Sequence, residues 1–169
     1  MEDKRIWEFK KDGRVLAIYT PDTPSEWINY LFNDNYYTEV TQTLQGTSAM
    51  VDAYAKSTYT MGARYFYVLN HDTGEAFCPT TQPYRSELDS FLCEHGLYYS
   101  KLCASKGGME FTAKVFVPIS KPCEIWEITL RNDTDRVTEV SVFSGAPFEN
   151  NSPMGGECRY EKEDGYIYK

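Results

Sequence analysis

A chain of 169 residues can bury one sizeable core and is too short for two comfortable ones. With 17 Lys and Arg against 25 Asp and Glu, its net charge of −8 excludes nucleic acid and anionic membrane surfaces as partners, because both demand a basic patch. Mean hydropathy is −0.53 and no long apolar run occurs, which excludes a transmembrane helix.

From the N-terminus, Met1-Glu-Asp-Lys-Arg5 lacks the apolar centre of a signal peptide, so a cytoplasmic chain is expected. Pro21 and Pro24 forbid a helix and lead, through a stiff loop, to Trp27, Asn29 and Tyr30. Ser48 to Lys56 is rich in alanine, and Ser86 to Glu94 opens on a Ser-x-x-Asp capping pattern, so each is a candidate short helix. Between them, the strand from Arg64 to Leu69 runs into the turn Asn70-His-Asp-Thr-Gly74, where the Asp side chain can cap and Gly74 can take a positive φ.

Strand periodicity dominates the second half. Phe111, Ala113, Val115 and Val117 alternate with Thr112 and Lys114, and Pro118 closes the run. Trp126, Ile128 and Leu130 alternate with Glu127, Thr129 and Arg131 in the next strand. Asn132 to Asp135 reads as a hairpin turn, from which Val137 to Ser144 returns with Val140 and Val142 on one face. Lys106-Gly-Gly108 and Glu163-Asp-Gly165 are further turn signals. Strand, tight turn and strand at short spacing predict an all-β antiparallel sandwich without internal repeats or an interdomain linker.

The chemistry-bearing residues are sparse. Cys78, Cys93, Cys103, Cys123 and Cys158 are odd in number and form no C-x-x-C pair. With only His71 and His95 beside them, no metal set is formed, and free thiols are expected. A hairpin turning near Gly96 allows Cys93 and Cys103 to face each other, though nothing requires a bridge. His71 reads as a solvated turn residue and His95, before Gly96, as a hydrogen-bonding turn residue. Neither lies in a nucleophile context, and no phosphate-binding glycine motif occurs. Glycoside chemistry uses paired carboxylates, but Asp89, Glu94, Glu124 and Glu127 offer no way to choose a pair. The aromatic share of 15%, carried mostly by 14 Tyr, suits cross-strand packing and equally suits sugar contact.

Pro21-Asp-Thr-Pro24 with Trp27-Ile-Asn-Tyr-Leu31 resembles the opening of the inverting β-glycoside phosphorylases, glycoside hydrolase family 94. That family includes cellobiose and chitobiose phosphorylases and the phosphorylase-like part of cyclic β-1,2-glucan synthases. The resemblance continues through Arg64-Tyr-Phe-Tyr67, Asp72-Thr-Gly-Glu75, Pro79-Thr-Thr-Gln-Pro83 and Cys93-Glu-His-Gly-Leu97 with Tyr99. It resumes at Phe116-Val-Pro118, Glu124-Ile-Trp126, Leu130-Arg-Asn132 and Val142-Phe-Ser144.

The resemblance implies a supersandwich-like β-domain over residues 1–169, incomplete at its C-terminal end, that leads a longer enzyme. In the family a helical linker and an (α/α)6 barrel follow, and the barrel supplies the general acid and the phosphate site. Phosphate attacks the anomeric carbon of a β-linked disaccharide or gluco-oligosaccharide while one Asp protonates the leaving oxygen. The implied parent is a homodimeric glycosyltransferase with inorganic phosphate as co-substrate and no other cofactor. No catalytic residue and no metal ligand is assigned within this chain. The residues expected to touch sugar or the missing barrel are Trp27, Asn29, Tyr30, Arg64, Gln82 and Arg85, whose planar donors suit hydroxyls and carbonyls. The chain departs from the family between Thr41 and Met61, where a Gly-rich and basic segment is usual, and in the short loop Gly145 to Asn151. Two alternatives stay open: a stand-alone carbohydrate-binding module with a Tyr-rich platform, and a purely structural or interaction domain.

Overall fold

Alternation of period two leaves one face of each strand apolar, and such faces are buried by stacking sheets. The computed structural model describes residues 5–51, 57–147 and 159–168, and among these every regular element is a strand. A six-stranded sheet is built from β1 (Trp7–Lys10), β2 (Val15–Ile18), β9 (Ser90–Gly96), β10 (Ser100–Lys106), β11 (Met109–Phe116) and β12 (Ile125–Asn132), in that spatial order. A second sheet joins β3 (Asn29–Asn33), β4 (Tyr36–Val40), β5 (Ser48–Val51) and β6 (Ser57–Met61). A third has the order β13 (Val140–Gly145), β7 (Tyr65–Asn70) and β8 (Ala76–Phe77), and a short ribbon pairs β14 (Arg159–Glu161) with β15 (Tyr166–Tyr168). All pairings are antiparallel.

The core draws on all three large sheets. Leu31 and Val40 come from the four-stranded sheet, and Phe66, Val68 and Phe77 from the three-stranded one. Leu102, Ala104, Met109, Phe111, Ala113 and Val115 come from the six-stranded one. Phe66 meets Phe111 at 5.3 Å between ring centroids and Trp126 edge-on at 5.5 Å, so one aromatic ties the layers together. β11 alternates buried and half-buried residues along its whole length, as its sequence pattern predicts.

Three expectations are corrected. Ser86 to Glu94 is no helix: Ser86 Oγ accepts the Cys78 N–H at 2.8 Å, Asp89 Oδ2 accepts the Gly107 N–H at 2.7 Å, and Ser90 already begins β9. The capping side chains thus serve distant backbone, not a first helical turn. Ser48–Val51 is a strand, and residues 52–56 of the second helical candidate lie outside the described residues. Asn132 to Asp135 is not a hairpin turn, because β13 pairs with β7 in another sheet and the turn therefore bridges layers. The Asn132 side chain still caps it, accepting the Thr134 N–H at 2.9 Å.

Other local readings hold or shift slightly. Gly74 has φ 71, but the turn before it is capped by Asn70 Oδ1, which accepts from the N–H groups of Asp72 and Thr73. Cys93 stands opposite Leu102 and Cys103 opposite Leu92, one residue out of step, so their side chains leave on opposite faces and both thiols are free. Residues 148–151 of the loop after Gly145 lie outside the described residues. Among the described residues no helix is long and apolar enough to cross a membrane.

Candidate functional site

The six residues singled out in the sequence divide into three environments. Arg64, just ahead of β7, is fully buried and makes a bidentate pair with Glu124, at 2.7 Å from Nε and 2.6 Å from Nη2. Its remaining donors reach Ser48 Oγ at 3.0 Å, Thr38 Oγ1, and the carbonyls of Leu44 and Glu39 at 3.2 and 3.3 Å. Glu124 also accepts from Ser48 Oγ at 2.8 Å, Tyr36 OH at 3.3 Å and the Trp126 indole. Burial alone would push this carboxyl up; the Arg64 guanidinium, helped by Trp126 and Ser48, outweighs that and holds it below the ordinary carboxylate range. A carboxylate held deprotonated is the opposite of what a general acid requires. Arg64 is fully buried and spends its donors on groups of the domain itself, as a structural knot does.

Asn29 and Trp27 form a second environment. Asn29 Nδ2 donates to the carbonyls of Gly96 and Tyr99 at 2.9 and 3.1 Å and to Ser100 Oγ at 3.1 Å, which clasps the β9–β10 turn. The half-buried Trp27 packs edge-on against Trp7 at 6.5 Å, and its N–H donates to Gln42 Oε1 at 3.1 Å. His95, expected in a turn, lies inside β9 and is buried. Its Nε2 bonds the Trp27 carbonyl at 3.0 Å; a carbonyl only accepts, so Nε2 carries the hydrogen and Nδ1 accepts from Ser100 Oγ at 2.9 Å. Burial lowers this imidazole to about 4, against which the Trp27 carbonyl acts only weakly. His71, by contrast, is an exposed turn residue bonded through Nε2 to Ser141 Oγ at 2.8 Å.

The third environment is surface. Tyr30 stands out from β3 beside Phe32, Leu97, Tyr98 and Ile119 in an apolar groove of about 260 Å³. Gln82 and Arg85 line a separate polar cleft of about 630 Å³. Its opposite wall is the Pro21 to Glu26 loop, and the Arg85 guanidinium pairs with Asp22 across the mouth. Gln42 secures that loop, its Nε2 donating to the Pro21 carbonyl at 3.0 Å while its Oε1 holds Trp27. On the floor, Gln45 Nε2 donates to the Arg64 carbonyl at 2.9 Å, linking the cleft to the buried ion pair.

The fold thus joins two sequence motifs, Pro21–Pro24 and Pro79–Pro83, at one cleft, and sends Tyr30 to another surface and Arg64 inside. Sequence reasoning missed Asp22, Gln42 and Gln45. Of these, Gln45 alone has a local signal, Gly46, which marks a tight turn after it: its φ is 120.

Comparison with known proteins agrees with this architecture. A family model described as glycosyl hydrolase 94, supersandwich domain, matches residues 14–154. The chain is 37% identical over 155 residues to 3-O-beta-D-glucopyranosyl-beta-D-glucuronide phosphorylase of Paenibacillus borealis, covering 92% of this chain and 20% of that protein. It is 31% identical over 170 residues to solabiose phosphorylase of the same organism, covering 95% of this chain and 22% of that protein. N,N'-diacetylchitobiose phosphorylase of Vibrio proteolyticus is 29% identical over 150 residues, covering 83% and 19% respectively. The chain spans about a fifth of the length of these curated relatives. A match over most of its length, on a fold of stacked antiparallel sheets, means that the chain belongs to glycosyl hydrolase family 94, of which it carries the supersandwich domain.

Proposed function

We propose that the chain is the scaffolding β-domain of a glycoside phosphorylase that transfers the glycosyl group of a β-linked disaccharide to inorganic phosphate. One observation carries this reading: a chain matching a fifth of the length of three phosphorylases spends its best-placed buried polar groups on holding itself together. Arg64, Glu124, Asn29 and His95 each satisfy backbone or side-chain partners within the domain, which is the behaviour of a rigid support. The bond-breaking acid and the phosphate site then belong to the rest of the longer enzyme, a cytoplasmic homodimer whose only co-substrate besides sugar is phosphate.

The experiment has two arms. Purified 169-residue chain, incubated with phosphate and a panel of β-linked disaccharides, is expected to release no sugar 1-phosphate. A chimera in which this chain replaces the aligned segment of the Paenibacillus borealis glucosyl-glucuronide phosphorylase is expected to regain phosphorolysis. Turnover by the isolated chain, or a folded chimera without activity, would defeat the proposal.

A further inference from the structure

The polar cleft is unlike a packing defect. Four separate connections converge on it: the β2–β3 loop, the β4–β5 turn, the β6–β7 link and the β8–β9 loop. Gln42 staples the first of these from both ends, as described above. The last is fixed at the Gln82 carbonyl, which accepts from Cys78 Sγ and Thr80 Oγ1, each at 3.0 Å. Thr81 there adopts φ 56, a conformation costly for a β-branched residue. Walls held this firmly spare a ligand much of the ordering cost of binding.

The groups facing the space are planar and bidentate. The Gln82 amide has no partner among the described residues and offers both a donor and an acceptor edge. Arg85 uses Nη2 on Asp22 and leaves further N–H groups directed outward, for its side chain is 71% exposed. Glu26 adds acceptors on the rim, and the half-buried Tyr65 also lines the cleft. Carboxylate, amide and guanidinium edges around an aromatic face are the set that matches vicinal hydroxyls over apolar C–H faces.

Charge narrows the ligand. Asp22 already neutralises Arg85, Glu26 adds negative charge, and the whole chain carries −8, so an anion is repelled. The polar lining gives an apolar ligand nothing to displace favourably. The volume of about 630 Å³ lies within the ordinary range of about 300–1,000 Å³ for small-molecule sites and admits two linked sugar rings.

We propose that this cleft binds a neutral β-linked disaccharide unit, with Gln82 and Arg85 as the hydroxyl-recognising residues and Tyr65 as the stacking surface. The choice of sugar class rests on the phosphorylase reading above; the cleft itself does not. The test is titration of the isotope-labelled 169-residue chain with laminaribiose and with cellobiose, followed through backbone and side-chain amide signals. Saturable shifts are expected at Thr43, Thr81 and Gln82. Gln82→Ala and Arg85→Ala, both at exposed positions, should each weaken binding about tenfold, the loss of about 1.4 kcal/mol expected for one good polar contact. Phe32→Ala, in the apolar groove, should leave it unchanged. Inorganic phosphate at equal concentration should shift none of the cleft signals.

No saturable shift with either sugar, shifts centred on Tyr30, Phe32 and Tyr98 instead, or phosphate reproducing the cleft shifts would each overturn the proposal. A failure here is separable from a failure of the phosphorylase reading, since the chimera assay reports on that reading and its outcome does not depend on binding by the isolated chain.

Discussion

Arg64 and Glu124 show how one pair of charges can serve three sheets. Removing two ions from water costs several kcal/mol each, recovered only when geometry and extra hydrogen bonds are good. Here the guanidinium bonds groups from β4, the following turn and β5, and the carboxylate bonds Tyr36, Ser48 and Trp126, so both requirements are met. Glu124→Gln or Arg64→Met strands the partner charge in the interior, and urea denaturation should register a loss of about 3–5 kcal/mol for either. The double variant Arg64→Met with Glu124→Leu leaves no buried ion and should recover much of it; a double-variant loss equal to the sum of the two single losses would show that the pair contributes nothing as a pair. His95 supplies a separate acid sensitivity. Its imidazole drops from 6.5 to about 4 on folding, so between those values the unfolded chain binds the extra proton. Stability is therefore fully present above pH 6.5 and falls as pH drops toward about 4, by about 3 kcal/mol. Glu124, held low by Arg64, adds a further decline only below 4.5, in the range between its unfolded and folded values. Melting temperatures of the wild type and His95→Gln across pH 3 to 7 separate the two: the variant should lose the upper part of the slope and keep the lower.

At the scale of elements, the turn joining β4 to β5 shows a glycine with no substitute. Gly46 has φ 120, and a Cβ there would stand 2.2 Å from the Glu39 carbonyl oxygen. Gly74 also has a positive φ of 71 but opens onto empty space. Gly74→Ala should cost about 1 kcal/mol through backbone conformation alone, and Gly46→Ala at least about 2 kcal/mol more, since the β4–β5 pairing must move. Thermal denaturation of the two variants checks the difference, and equal costs would mean that the turn relaxes freely. The same elements explain what the sequence revealed. β11 was legible because its inward residues alternate without interruption and both neighbours pair along it. Ser86 and Asp89 misled because side-chain oxygens cap any free N–H, and the donors they serve are Cys78, upstream in the loop preceding β9, and Gly107, across the β9–β10 hairpin. Asn132 misled for a related reason, since an Asn-capped turn is compatible with a hairpin or with a crossing between layers, and only the β7–β13 register decides. In the cleft, Gln82 and Arg85 were visible through their proline-rich context, whereas Gln42 and Asp22 act through partners about twenty or more residues away and leave no local pattern.

For the whole molecule, the distribution of exposure distinguishes a closed core from an open flank. The outer face of the six-stranded sheet carries Glu94, Lys101, Lys114 and Glu127 in one row across four strands, a solvated surface. The inner face is dry at its centre, where Leu102, Phe111, Ala113 and Val115 are fully buried. It is not dry at its edge. Ile128 stands opposite Ala113, hence on the inner face, yet is 37% exposed. Val142 on β13 stands opposite the buried Val68, also on the inner face, and is 39% exposed. Among the described residues, two edge strands in facing sheets thus leave inward apolar residues partly uncovered along one flank, and each has a strand partner on one side alone. Substitutions should follow this geometry and not hydrophobicity alone. Phe111→Ala removes a ring from the closed centre and should cost about 3–5 kcal/mol. Val142→Thr exchanges one methyl for a hydroxyl on the open flank and should cost less than about 1 kcal/mol. Val142→Lys should leave the melting temperature within a few degrees while lowering light scattering at high protein concentration, because a charge on an edge strand discourages edge-to-edge pairing. If Val142→Lys instead destabilised the chain as severely as Phe111→Ala, the flank would have to be closed in solution, and the sandwich would be complete where its register leaves it open.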